Sequence, residues 1–253
     1  MVGGRAFGGM ALVLMALVLM ALGAPPRAYA LEALDTNYVL AGRNVETNAE
    51  MITFQISIGQ PVYEGFWVSY QQRSWWDVGE ESRPFRETNF NPSAFYRWRD
   101  TEGAREVRIG YEHESNGQAD VARIDGITPT RSWDRLYAEV AWPLSEWLTL
   151  RPKVWYAYGL EDNPALLETY GHGQLGLGFH YRPATIDLWY NGRHGGKRGW
   201  QTLDLFYGWS WGWRVHVQWF DGYGESLIDL PGKDDSFSPE RRTVWRIGVA
   251  ITS

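Results

Sequence analysis

The sequence predicts an all-β protein, a 12-stranded antiparallel transmembrane β-barrel. Three observations carry that expectation. About twelve runs alternate apolar and polar residues with period two, as strands with one wet and one dry face do. Fifteen Trp and fourteen Tyr in 253 residues are more amphipathic rings than a soluble core of this size needs. After Ala30, no stretch approaches the roughly eighteen consecutive apolar residues of a membrane helix.

Residues 1–30 read as a cleaved signal peptide. Arg5 supplies a positive n-region, Met10–Leu22 an unbroken apolar run of thirteen residues, and Ala28-Tyr29-Ala30 a small-x-small cleavage site. The run is short for a membrane anchor. The single domain is then 31–253. Its strands are expected near 36–43, 51–59, 65–73, 92–99, 105–114, 132–142, 148–157, 173–182, 185–193, 200–208, 212–220 and 242–252.

A soluble sandwich and a membrane barrel both use such strands. The barrel is favoured because the faces opposite the apolar ones carry Arg, Glu, Gln, His and Lys, which suit a polar lumen. Trp75, Trp76, Trp133, Trp142, Trp147, Trp200 and Trp219 lie at run ends, as interface girdles require. Tight connections at Pro183-Ala184 and Pro143–Trp147 alternate with long ones over 74–91, 115–131, 158–172 and 221–241. Short turns on one side and long loops on the other are the outer-membrane pattern.

Composition narrows function. With no Cys there is no disulfide framework, thiolate metal site or thiol nucleophile. A formal net charge of −6 argues against a nucleic-acid partner. His172, His180, His194 and His216 show no metal-ligand spacing.

The chemistry lies at one strand end. Val107, Ile109 and Tyr111 form the apolar face of their run, and His113 and Ser115 share its parity. Glu106, Arg108, Glu112 and Glu114 face the lumen. In the next run Leu136, Ala138, Val140 and Trp142 face lipid, and Asp134 shares their parity. One hairpin therefore presents His113, Ser115 and Asp134 on the outer wall, a base, a nucleophile and an orienting acid beside a lipid ester. Parity alone leaves two readings open, this one and a His and Ser that are simply solvated at the interface.

At this point the chain resembles the outer-membrane phospholipase A (detergent-resistant phospholipase A) family. The matching segments include Gln72-Arg73-Ser74-Trp75-Trp76, Glu80–Asn89, His113-Glu-Ser115-Asn-Gly117, Arg131–Tyr137, Asp162-Asn163-Pro164 and Gly222–Asp229. They keep their order over nearly the whole mature chain.

The resemblance implies an outer-membrane, calcium-dependent phospholipase A1/A2, active as a homodimer on phospholipid esters. The alternative is a catalytically inactive barrel or channel of the same fold. Carried over, Ser115 is the nucleophile, His113 the general base and Gly117 the backbone donor of the oxyanion hole. Asp134 stands where the family usually has Asn. The resemblance gives calcium to the carbonyl of Gln118, to Thr130 and to the carbonyl of the partner subunit's Ser82, and gives Gln72 to the dimer interface. Gln118 and Thr130 replace the family's common Arg and Ser, and the loop between them is longer than the family's. Within it, Asp120 and Asp125 read either as solvated loop residues or as added carboxylate ligands. Gly222–Asp229 and Arg86–Asn89 read as structural, ordering the long loops.

Overall fold

A computed structural model describes residues 31–100, 105–119, 128–192, 198–208, 212–233 and 237–251. The signal-peptide expectation for residues 1–30, together with Asp120, Asp125 and His194, lies outside them.

Twelve strands form one closed antiparallel barrel. The first six are β1 (Asn37–Asn44), β2 (Glu50–Tyr63), β3 (Phe66–Trp76), β4 (Phe85–Arg99), β5 (Glu106–Ser115) and β6 (Ser132–Ser145). The next six are β7 (Leu148–Tyr158), β8 (Gly173–Tyr181), β9 (Ala184–Gly192), β10 (Gly199–Gly208), β11 (Trp213–Gly222) and β12 (Arg242–Ile251). Each strand pairs with the next. Val249 opposite Val39 shows where β12 closes onto β1. Closure is obligatory in lipid, where an open edge has no partner for its N–H and C=O groups. A five-residue helix, α1 (Leu166–Tyr170), interrupts the β7–β8 connection.

One expected boundary moves. The strand expected at 92–99 begins at Phe85, and the loop expected over 74–91 shrinks to 77–84. Arg86 turns inward to Glu225 and Asp229 at 3.7 and 4.0 Å, the outward Thr88 is polar and Pro92 interrupts the run, so an apolar alternation is missing. The ladder continues regardless, with Gln72 opposite Phe90 and Ser74 opposite Thr88.

The outer face is apolar, with Ile109, Leu136, Val154 and Ile247 all more than half exposed. Trp142, Trp147, Tyr181 and Trp213 are exposed beside the short turns, where amphipathic rings meet the bilayer boundary. Three tryptophans expected in this girdle belong to the lumen instead. Trp75 and Trp133 are fully buried, and their indole N–H groups donate to Glu225 and Glu114 at 3.0 Å. Trp200 packs against the buried cluster of Met51, Trp75, Phe220 and Val244. Parity decides these cases, not position at a run end: Trp75 is two residues from the inward Arg73, and Trp133 two from the inward Arg135.

The lumen is filled. Arg97 and Arg108 pair with Glu106 at 2.7 and 2.6 Å. Arg135 and Lys153 pair with Glu112 at 2.8 and 2.9 Å, and the Arg135 guanidinium lies 4.0 Å over the Trp133 ring. At the long-loop end the β11–β12 connection folds into the mouth and buries Leu227 and Leu230 completely. Both Glu87 carboxylate oxygens accept the Ile228 N–H there, at 2.9 and 3.1 Å. Burial pushes the Glu225 carboxyl up, but Arg246 and Arg86 more than offset it and hold the group below the usual carboxylate range.

Glu112→Ala leaves Arg135 and Lys153 buried without their shared partner. It is expected to destabilise the barrel by about 3–5 kcal/mol, read from the denaturant midpoint in detergent micelles.

Candidate active site

Strand β5 climbs to the long-loop end of the barrel, and its inward glutamates fix its rotation. Glu106 and Glu112 are held in lumenal ion pairs, and Glu114 accepts from Trp133 and from Arg135, at 3.0 and 3.1 Å. A one-residue slip would drive all of these charges into lipid, so the register is strongly specified. Tyr111, His113 and Ser115 are thereby held on the outer face.

His113 lies directly opposite Asp134 of β6. The His113 Nδ1 and the Asp134 Oδ1 are 2.9 Å apart. A carboxylate partner can only accept, so Nδ1 carries the proton and Nε2 is left as the free base. The same Oδ1 accepts the Tyr111 hydroxyl at 2.5 Å. The two side chains are 18% and 23% exposed, sheltered but open on the outer wall.

Ser115 follows on the same face, two residues beyond His113, with Phe90 and Ser132 as its cross-strand neighbours. Its hydroxyl has no hydrogen-bond partner among the described residues, the Nε2 of His113 included. Apo sites often show this contact open, and it tightens when substrate binds.

Beyond the strand, Gly117 adopts φ +65°, a left-handed conformation that favours glycine. A Cβ there would also lie 3.1 Å from the Phe90 ring. The Gly117 N–H has no partner among the described residues, as an oxyanion donor requires.

The buried Asn116 staples the two ends of this loop together. Its Nδ2 donates to the Pro129 carbonyl at 2.7 Å, and its Oδ1 accepts the N–H of Arg131 at 3.0 Å and of Gln118 at 3.4 Å. Gln118 and Thr130 are thereby brought together, and the Thr130 hydroxyl donates to the Gln118 carbonyl at 2.9 Å. Two hard oxygens so close fit a calcium ion, which takes carbonyl and hydroxyl-type oxygens readily. These two donors are neutral, and no group of three His, Asp or Glu among the described residues could hold a metal ion. Ser82 sits in the exposed 77–84 turn.

Several supports were not assigned from the sequence. The buried Arg131 donates to the carbonyls of Leu230 and Thr130, at 2.9 and 2.8 Å, and also to that of Thr128, tying the site loop to the lumen plug. Asp162 accepts the Ser132 hydroxyl at 2.8 Å and Asn163 the Ser132 N–H at 3.0 Å. Asn116 and the Asp162-Asn163 pair were visible as motif residues, but their partners are long-range and leave no local signal.

Gln72 faces outward. It accepts the Tyr70 hydroxyl at 2.8 Å and donates to Ser74 at 3.2 Å. Gln72, Phe90, Ser115 and Ser132 lie in one cross-strand row. Beside Tyr111, a shallow outer groove of about 680 Å³ is lined by Ala94, Ile109, Leu136, Ala138 and Tyr156. Of the other histidines, His216 is buried on Asp204 at 2.7 Å and His180 faces Thr149 at 3.3 Å.

The family model described as Phospholipase A1 matches residues 28–238. The protein named Phospholipase A1 of Escherichia coli strain K12 is 34% identical over 238 residues, covering 79% of this chain and 77% of its own length. The solved outer membrane phospholipase A from Escherichia coli superposes with a TM-score of 0.74 at 28% identity, covering 88% of this chain and 99% of that one. A Salmonella typhi outer membrane phospholipase, solved as a dimer with bound calcium, gives a TM-score of 0.75 at 27% identity, over 94% and 97% of the two chains.

A sulfonyl fluoride with an alkyl chain is expected to label Ser115 selectively, read by mass spectrometry of the modified peptide. His113→Ala is expected to slow that labelling about 100-fold or more, the usual worth of a positioned base.

Proposed function

The chain belongs to the phospholipase A1 family and is an outer-membrane phospholipase, and from that premise we propose that it hydrolyses the sn-1 and sn-2 acyl esters of phospholipids as a calcium-dependent homodimer, with Ser115, His113 and Asp134 as its triad. The observation that carries the reading is the His113–Asp134 pair on the lipid-facing wall, with Ser115 two residues further along the same face.

The chemistry follows from those positions. A phospholipid in the outer leaflet brings its ester level with the upper end of β5. Its acyl chain runs down the outer wall, where the 680 Å³ groove falls within the roughly 300–1,000 Å³ typical of ligand sites. Ser115 Oγ attacks the ester carbonyl while His113 Nε2 takes its proton. Asp134 keeps the ring in the right tautomer and stabilises the imidazolium that forms. The Gly117 N–H donates to the oxyanion, a contact typically worth ~3–4 kcal/mol in the transition state. Collapse breaks the ester bond, and the lysophospholipid alkoxide leaves with the proton from His113. Water then attacks the acyl–Ser115 ester with His113 again as base, releasing the fatty acid.

The Gln118 carbonyl, Thr130 and the partner subunit's Ser82 would hold calcium. When bound, the ion supplies positive charge beside the oxyanion. Ligands from two subunits would make metal binding and pairing one event, leaving a lone subunit with an unfinished oxyanion hole. Gln72 supports the pairing, because a polar group in the lipid-facing wall gains from a partner. The ion-paired, aromatic-filled lumen weighs against the conducting alternative.

Ser115→Ala is expected to abolish calcium-dependent hydrolysis of phospholipid in mixed micelles, and chelation of calcium to silence the native chain. Asp134→Asn is expected to keep activity, about tenfold reduced, because an amide oxygen still accepts the imidazole N–H but without charge assistance. Retained hydrolysis in Ser115→Ala would remove the triad.

A further inference from the structure

We propose that Tyr111 is a positioning residue of the hydrolytic site: its hydroxyl holds the Asp134 carboxylate so that Oδ1 stays on the imidazole N–H, while the missing side chain of Gly159 leaves Oδ2 its place. The inference rests on the triad proposed above and adds to it a residue that never touches substrate.

Geometry carries it. Tyr111 stands two residues below His113 on the outer face of β5, diagonal to Asp134 across the β5–β6 ladder, within reach of a long side chain. Its hydroxyl donates to Asp134 Oδ1 at 2.5 Å, the same oxygen that His113 Nδ1 faces at 2.9 Å. On the other side, Gly159 at φ +65° carries no side chain, and a Cβ there would lie 2.7 Å from Oδ2, so only glycine leaves that oxygen its place. The other oxygen is gripped by two donors, which restrains the carboxylate from rotating.

The surroundings explain why such a lock is needed. No Lys or Arg pairs with Asp134 among the described residues. Among the described residues, the titratable groups around the dyad are Tyr111 on β5, Asp134 on β6, Tyr158 opposite it on β7, and Tyr70 on β3, which faces Pro92 of β4. All except Asp134 are phenols, so none brings a positive charge. A carboxylate beside lipid without a cation needs hydrogen bonds to stay ionised and in place. Among the described residues only His113 and Tyr111 supply them. Charge-assisted bonds of this kind are roughly twice as strong as neutral ones. A carboxamide would differ, because it presents one accepting oxygen, carries no charge and draws the phenol less strongly.

The test is a double-mutant comparison by steady-state phospholipid hydrolysis with calcium, with rates referred to the folded fraction read from heat-modified gel migration. Tyr111→Phe keeps the ring and removes only the hydroxyl. It is expected to lower kcat about tenfold with KM unchanged, and to lower it no more than about twofold in an Asp134→Asn background, where the acceptor is neutral. Gly159→Ala, which presses on Oδ2 from the other side, is expected to lower kcat comparably with Tyr111 intact. The proposal is overturned by an unchanged kcat in Tyr111→Phe, by equal losses in the two backgrounds, by a loss confined to KM, or by a silent Gly159→Ala. A Ser115→Ala control separates the cases. An active control removes the triad itself, whereas a dead control with an unaffected Tyr111→Phe removes only the role given to Tyr111.

Discussion

Closure of the sheet in lipid is the constraint on which the rest depends. A closed barrel gives every strand residue one of two destinations, the bilayer or the lumen, and the choice alternates without exception along a regular strand. Parity thus turns a one-dimensional sequence into two walls of opposite chemistry. Polar residues gather on the outer wall at the upper ends of β3, β4, β5 and β6, where Gln72, Thr88, His113, Ser115 and Asp134 all face outward. That gathering is the candidate site, and its position at the strand ends puts polar groups toward headgroup level rather than deep in hydrocarbon.

The lumen stabilises what the outer wall presents. Alternate residues of β5 belong to the two systems, so the ion pairs of Glu106 and Glu112 fix where His113 and Ser115 point. Above the strands, the plug formed by the β11–β12 connection holds the site loop through Arg131 and Leu230, and holds β4 through Glu87 and Ile228. Buried charges of this kind add little net stability, but removing one partner is costly, so they resist local change. The proposed pairing of Ser115 with His113, two residues apart on a strand, would need that rigidity, because such chemistry depends on close relative placement.

Much of this was legible in the sequence because the relevant signal was local. Period-two alternation gave all twelve strands, and parity alone brought His113, Ser115 and Asp134 to one face. Other features depended on contacts far along the chain. Trp75 and Trp133 looked like girdle residues from their place at run ends, whereas their partners Glu225 and Glu114 lie in the lumen. Two-residue counting from Arg73 and Arg135 would have placed them correctly. The start of β4 was hidden because Thr88 and Pro92 break the apolar alternation on its outer face beside the candidate site. The stapling by Asn116 and the grip of Tyr111 on Asp134 follow from no pattern, since both join segments that only the folded barrel brings together.

The acid at position 134 draws these strands of argument together. An amide at that place would orient the imidazole without a desolvation problem, because it is neutral. In the proposed triad a carboxylate would add Coulombic stabilisation of the imidazolium formed on deprotonating Ser115, a gain that grows as lipid displaces water from the wall. The same displacement makes the resting charge expensive, since no Lys or Arg is paired with it among the described residues. The two tendencies are reconciled only if the carboxylate keeps strong hydrogen bonds throughout the cycle. Tyr111 donates to the same Oδ1 that faces His113 Nδ1, so the charge does not depend on the imidazole alone. The phenol therefore lets this barrel carry an ionised acid in its lipid-facing wall, and the placement of a tyrosine two residues before the histidine is part of the chemistry as well as of the apolar face.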